Sequence, residues 1–158
     1  MVVILYNIRS LHNVGSIFRT ADAAGIEKIY LCGITPGPID VFGKSRPQLT
    51  KVSLGAEKYV KWEKIKSATR IIDKLKKDNY KIFAIEQSKK STPYYKIHKP
   101  YILNHKSALI LGNEIKGLPT SILKRADKIL EIPMKGKKES LNVAVAFGIV
   151  VYHFLHSS

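Results

Sequence analysis

The first thirty-two residues constrain the fold more than any other stretch of the chain. Val2-Val3-Ile4-Leu5-Tyr6 is a continuous apolar run with β-branched members, the pattern of a strand covered on both faces. A polar segment, Asn7 to His12, follows. Asn13 is a cap-forming residue ahead of Val14, Ile17, Phe18 and Ala21, which recur at helical spacing, and Gly25 is a natural stop. Lys28 to Cys32 reads as a second strand. Strand, helix and strand in so short a span specify a βαβ unit, and hence an α/β class with a mostly parallel sheet flanked by helices. In such sheets ligand sites lie beyond the carboxyl ends of the strands.

The rest of the chain continues the alternation. Gly33 to Thr50 holds three of the seven prolines and three of the ten glycines, so it is expected to be a long irregular excursion, exposing Lys44 and Arg46. Loops of that length in small domains generally have a task, such as covering a substrate. Leu54-Gly55-Ala56 is expected to turn, and Tyr59 to Trp62 to form a short strand. Ser67 caps a helix with Ile71, Ile72 and Leu75 inward and Arg70, Lys74, Lys76 and Lys77 outward. Tyr80 to Glu86 is a strand and Gln87 to Lys106 a loop, in which Tyr94 and Tyr95 either stack on bases or pack over a sheet edge. Ser107 to Leu111 is a strand ending at Gly112, Pro119 opens a helix to about Arg125, and Lys128 to Ile132 is the last strand. An apolar run, Val143 to Leu155, closes the sequence as a helix.

Charge narrows the function. A chain of 158 residues with 27 Lys and Arg against 12 Asp and Glu carries a formal charge of +15, which favours a polyanionic partner such as nucleic acid, the alternative being solubility or a basic proteome. Between Lys51 and Lys81 there are ten basic and four acidic residues; each lysine there is either a contributor to this field or the solvated face of a helix. The length suits one domain, 1–158. The single Cys32 excludes an intrachain disulfide, no basic leader precedes the first strand, and no apolar run reaches membrane-spanning length, so a cytoplasmic protein without membrane contact is expected. His12, His98, His105, His153 and His156 lack metal-ligand spacing, so no metal is expected. No Gly-x-Gly-x-x-Gly, Walker or Gly-x-Ser-x-Gly sequence is present, so a nucleotide-like ligand would be held in another way.

Three polar residues stand where strands end or helices begin: Arg19, Glu114 and Asn142. Arg19, in the first helix, is either a phosphate ligand or a surface arginine. Gly112 and Gly117 bracket Glu114, the mark of a tight loop that approaches a ligand closely, although Glu114 alone is also a reasonable helix-terminal charge. Ser140 and Asn142 both precede the last helix, and capping accounts for one of them more easily than for both. The segment before them, Ile132-Pro133-Met134-Lys135-Gly136-Lys137-Lys138, is a polar turn of the kind that holds ligands.

These motifs resemble, in order, those of the SpoU/TrmH branch of the SPOUT RNA methyltransferases. The resemblance rests on Asn13-Val14-Gly15-Ser16-Ile17-Phe18-Arg19-Thr20, on Leu109-Ile110-Leu111-Gly112-Asn113-Glu114 with Gly117-Leu118, and on Ile132-Pro133-Met134 with Ser140-Leu141-Asn142-Val143-Ala144 and Ala146. Lys51 and Ser53 to Glu57 add a further similar stretch. It covers essentially the whole chain.

The resemblance implies a C-terminal deep trefoil knot, the SPOUT fold, a homodimer, and transfer of a methyl group from S-adenosylmethionine to a ribose 2'-hydroxyl of RNA. Cofactor contacts would come from Leu111, Gly112, Asn113, Ile132, Met134, Ser140, Leu141 and Ala146. Arg19 would be the central catalytic residue, with Asn13, Glu114, Ser140 and Asn142 ordering the site, and Arg9, His12, Arg19, Lys44, Arg46 and Lys116 would meet RNA. His12 departs from the family, many members of which carry asparagine there. No separate RNA-binding domain is expected, so the domain's own lysines and dimer groove would bind RNA. Small relatives often act on tRNA, which makes tRNA the preferred substrate; rRNA, or a catalytically silent RNA-binding dimer, is the alternative. The surplus of apolar positions in the last helix, Val143, Val145, Ala146, Ile149 and Val150, is expected to be dimer interface.

Overall fold

The computed structural model describes residues 1–97, 101 and 105–156; His98 and part of the loop before residue 106 lie outside them. Seven strands form one sheet: β1 (Val2–Tyr6), β2 (Lys28–Cys32), β3 (Lys61–Ile65), β4 (Tyr80–Ile85), β5 (Thr92–Pro93), β6 (Lys106–Leu111) and β7 (Lys128–Glu131). Their spatial order is β3-β2-β1-β6-β4-β7-β5, and every ladder between them is parallel. The helices among the described residues are α1 (Leu11–Ala23), α2 (Pro47–Ser53), α3 (Ala68–Lys77), α4 (Thr120–Leu123) and α5 (Val143–His156).

Two helical layers follow from the period of two along the strands. On one face Val3, Leu5, Phe83, Leu109 and Leu111 pack with α1, α2 and α5 through Val14, Ile17, Phe18, Leu49, Phe147 and Val151. Val2, Ile4, Ile82, Ala84, Ala108 and Ile110 point to the other face, against Ala68, Ile71, Ile72 and Leu75 of α3 and Ile122 of α4. Helix α5 buries Phe147, Val150, Val151 and Phe154, a stripe at i, i+3, i+4 and i+7. The Phe154 ring meets Phe83 edge-on, with centroids 4.9 Å apart. Burial of each such side chain contributes roughly 1.5–3 kcal/mol.

Several boundaries differ from those read in the sequence. The excursion after β2 is shorter than expected, because Pro47 starts α2. The expected strand at Tyr59 to Trp62 is shifted to Lys61–Ile65, an edge strand whose polar residues hide its period. The helix expected from Pro119 to Arg125 is a single turn, with Pro119 as its N-cap residue. Tyr94 packs edge-on against His153 of α5, with centroids 5.0 Å apart, so its ring covers a helix.

Ser10, rather than Asn13, caps α1: its Oγ accepts the Asn13 N–H at 3.1 Å. Both residue types cap well, and the choice frees the Asn13 side chain for another use.

Candidate active site

A cleft of about 330 Å³ opens beyond the carboxyl ends of β6, β4 and β7, three strands adjacent in the sheet. It is lined by the β6 loop from Leu111 to Gly117, by Ile85, Glu86 and Gln87 after β4, by Leu130, Glu131, Ile132 and Met134 around the end of β7, and by Ser140, Leu141, Asn142, Val143 and Ala146 at the start of α5. Asn13 from α1 completes it.

The three motifs are joined by side-chain hydrogen bonds. Asn142 Nδ2 donates to Asn13 Oδ1 at 2.9 Å, and Asn13 Nδ2 donates to Glu114 Oε1 at 3.2 Å. The Glu114 carboxylate also accepts the backbone N–H of Arg9, at 3.2 and 3.0 Å to its two oxygens, and that of Ser10 at 3.0 Å. Glu114 is therefore an anion seated on the amino end of α1, where unpaired N–H groups and the helix dipole favour negative charge. Burial acts to raise its pKa, but the N–H groups of Arg9 and Ser10 and the Asn13 amide more than offset this and hold it below the usual carboxylate range. Asn142 does two things at once: its Oδ1 caps α5 by accepting from Ala144 N at 2.9 Å and Val145 N at 3.4 Å, while its Nδ2 reaches Asn13.

The β6 loop is tight for a steric reason. Asn113 and Gly117 form an antiparallel bridge, and a Cβ on Gly112 would lie 2.5 Å from Gly117 C and 2.7 Å from its oxygen. Gly117 has φ of +63°, a conformation that favours glycine. Asn113 fixes the loop at both ends, its Oδ1 accepting from Ile115 N and Lys116 N and its Nδ2 donating to Asn7 O at 2.7 Å. Glu86 seals the far side by accepting Leu118 N at 2.8 Å.

All eight residues expected at a cofactor site line this cleft, as do Asn13, Glu114, Ser140, Asn142 and Lys116. Arg9, His12, Arg19, Lys44 and Arg46 do not line it; Arg9, His12, Arg19 and Lys44 are exposed. Arg46 is half-buried, with its Nε lacking a hydrogen-bond partner among the described residues. Ile85, Glu86, Gln87, Leu130, Glu131 and Val143 were missed by sequence reasoning. Ile85, Glu86 and Gln87 stand at and just past the end of β4, Leu130 and Glu131 end β7, and Val143 begins α5; those strand ends are the signal that finds the first five, once β4 is known to lie between β6 and β7.

Of the surplus apolar positions in α5, Val143 and Ala146 line the cleft and Val150 is core. Val145, Tyr152 and Leu155 remain exposed. Among the described residues no group of three or more His, Cys, Asp or Glu side chains is placed to hold a metal ion, and no helix is long and apolar enough to cross a membrane.

Comparison with known proteins points the same way. The model of the SpoU rRNA Methylase family matches residues 1–152. The tRNA (guanosine(18)-2'-O)-methyltransferase of Aquifex aeolicus is 31% identical over 154 residues, which are 96% of this chain and 67% of that protein. The AdoMet-bound rRNA methyltransferase from Sinorhizobium meliloti superposes with a TM-score of 0.85 at 27% identity, covering 97% of this chain and 54% of that one. A structure described as giving insight into 2-OH methylation of C/U34 on tRNA has a TM-score of 0.79 at 27% identity, covering 97% of this chain and 92% of its own. The chain spans 56 to 67% of the length of several curated relatives that it matches.

Proposed function

The chain belongs to the SpoU/TrmH family of the SPOUT superfamily, and from that premise we propose that it transfers a methyl group from S-adenosylmethionine to a ribose 2'-hydroxyl of RNA, with tRNA as the preferred substrate. The observation that carries this reading is the convergence of Asn13, Glu114 and Asn142 at one cleft beyond the strand ends. The neighbouring methyltransferase structure that holds AdoMet supports the choice of cofactor. Preference for tRNA is supported by the similar chain described with tRNA position 34, which is matched over 92% of its length, nearly the same size as this one.

The cleft suits such a cofactor chemically. Leu111, Ile132, Met134, Leu141 and Ala146 offer apolar surface, and the close approach of Gly112 to Gly117 leaves backbone rather than side chain at the wall. When bound, S-adenosylmethionine supplies an electrophilic methyl group on a sulfonium. The chain's own task is alignment of the hydroxyl and removal of its proton. Glu114 and Asn142 fix the β6 loop and the α5 start against Asn13, so the walls keep their spacing. Ser140, exposed at the mouth, faces the substrate side. Arg19 binds the phosphate beside the target ribose, and the hydroxyl proton passes to that Arg19–phosphate pair, since a free guanidinium with pKa above about 12 is a poor base.

Arg19 does not line the cleft of its own chain; in this reading a second copy brings it to the reacting atoms. The exposed Val145, Tyr152 and Leu155 of α5 offer the apolar surface for that homodimer. We extend the family's deep trefoil knot to the C-terminal part of this chain. Single-molecule extension from both termini would then fall short of the fully unfolded contour length.

The test is calorimetric titration with S-adenosylmethionine, followed by mapping of 2'-O-methyl sites in tRNA and rRNA treated with the wild type and with Arg19→Ala. Binding by both proteins, with methylation by the wild type alone, is expected. Absence of binding, or normal kcat in Arg19→Ala, overturns the reading.

A further inference from the structure

Phe42 and Val41 are 83% and 90% exposed, side by side, at the tip of the excursion that follows β2. The tip is built rather than loose. Ile39 bridges Ser45 antiparallel, Asp40 N donates to Lys44 O at 2.8 Å, and Arg46 N donates to Pro38 O at 2.9 Å. Asp40 Oδ1 accepts the N–H of Phe42 at 2.8 Å and of Lys44 at 2.9 Å, which fixes the turn that carries the ring.

The base of the excursion is anchored as well. Thr35 is fully buried; its hydroxyl accepts Ile8 N–H at 3.1 Å and lies 2.9 and 2.8 Å from the Leu5 and Cys32 carbonyls that it donates to. Lys64 Nζ donates to the carbonyls of Gly33 and Thr35. Ile34 N donates to Asn7 Oδ1, and Asn7 O accepts from Asn113 at the cleft. The hairpin therefore rises from the same carboxyl end of the strands as the candidate active site, and a two-bond link through Asn7 ties its base to the β6 loop.

Two large apolar side chains on a constrained tip cost solvation and contribute nothing to the core. The charges around them select the occupant. Lys44, exposed, and Arg46, half-buried, follow Phe42 two and four residues on in the same hairpin, and the one acidic group there, Asp40, is already engaged with two backbone N–H groups. An aromatic face beside cations with no free carboxylate complements an unpaired nucleotide, whose base stacks and whose phosphates are anionic.

We propose that Phe42 is a stacking platform for an unpaired base of the RNA substrate, with Lys44 and Arg46 on the adjoining phosphates. This rests on the reading of the chain as an RNA methyltransferase and identifies a substrate contact outside the cleft. It also requires the substrate to offer an unpaired base within reach of the hairpin, because a base inside a duplex has no free face.

The experiment is steady-state methylation of unfractionated tRNA by the wild type and by Phe42→Trp, Phe42→Leu and Phe42→Ala, with oligomeric state checked by light scattering. Stacking predicts that Phe42→Trp keeps the wild-type KM, while Phe42→Leu and Phe42→Ala raise KM about tenfold or more, with kcat within about twofold. Equal KM for Phe42→Leu and the wild type overturns the proposal, because apolar contact without an aromatic face would suffice. A change of oligomeric state in Phe42→Ala also overturns it, assigning the tip to a second copy of the chain. If the wild type methylates no RNA, the functional reading fails separately. The stacking proposal is then judged by direct RNA binding of the same four proteins, in which only the Phe42→Leu and Phe42→Ala proteins should weaken.

Discussion

Replacing Glu114 by Gln keeps the shape of the side chain and removes its charge. In the wild type the carboxylate accepts from Arg9 N, Ser10 N and Asn13 Nδ2, all at 3.0–3.2 Å. With the amide oxygen in place of Oε1, three acceptances remain but lose charge assistance, and the new NH2 group faces the Arg9 N–H, donor against donor. Hydrogen bonds to a charged group contribute about 1.5–3 kcal/mol against about 1 for neutral ones, so three weakened bonds in a partly solvated site amount to about 2 kcal/mol after screening. For a chain of this size that corresponds to a fall in Tm of roughly 4–8 °C. Urea denaturation at pH 7 measures it.

The pH dependence adds a second check. Glu114 has a folded pKa below its unfolded value, so its ionisation stabilises the fold fully above the unfolded pKa and ceases to do so as pH falls through the folded pKa. The gap between wild type and Glu114→Gln should therefore be constant near neutrality and close in acid. A Glu114→Gln protein as stable as the wild type at pH 7, or a gap that widens in acid, would refute the role given to this carboxylate.

Other outcomes follow from the same geometry. Gly112→Ala places a methyl group 2.5 Å from the Gly117 backbone and should cost about 1–3 kcal/mol, with S-adenosylmethionine affinity lost in calorimetry. Asn142→Ala removes both the α5 cap and the link to Asn13; a loss of about 1–2 kcal/mol is expected in urea denaturation, and Asn142→Asp should recover the cap without the link. Burial pushes the Cys32 thiol up to about 12, so alkylation by iodoacetamide at pH 8 should be negligible until the protein is unfolded. RNA affinity, measured by filter binding, should fall steeply and log-linearly with salt, and a flat response would count against phosphate-dominated binding by these lysines.

The parts of the fold legible in the sequence are those with a clear apolar signature. Val2–Tyr6, Lys28–Cys32 and Lys106–Leu111 are interior strands of the sheet, and the apolar stretches Val2–Tyr6, Ile29–Cys32 and Ala108–Leu111 mark them. Lys61–Ile65 lies at the sheet edge with three charged residues, so no period showed; β5 has two residues and could show none. Asn13 is a good cap by residue type, as is Ser10, and only the fold reveals that Asn13 is engaged with Glu114 and Asn142, far from it in sequence. The cleft residues carried by the recognised motifs were legible. Glu86 and Gln87 were not, since nothing in the order of strands along the chain says that β4 inserts between β6 and β7. Phe42 was invisible for a different reason: exposure of an aromatic residue is a property of the folded hairpin.

The most direct measurement is the chemical position of the transferred methyl group. RNA methylated with S-[methyl-3H]adenosylmethionine by the purified protein is hydrolysed in alkali, which needs a free 2'-hydroxyl to cleave the adjacent phosphodiester. Label retained in alkali-resistant dinucleotides is the result expected of a ribose 2'-O-methyltransferase. Label released in mononucleotides would place the methyl group on a base, and with no label in any RNA fraction the assignment of this cleft to methyl transfer would fail.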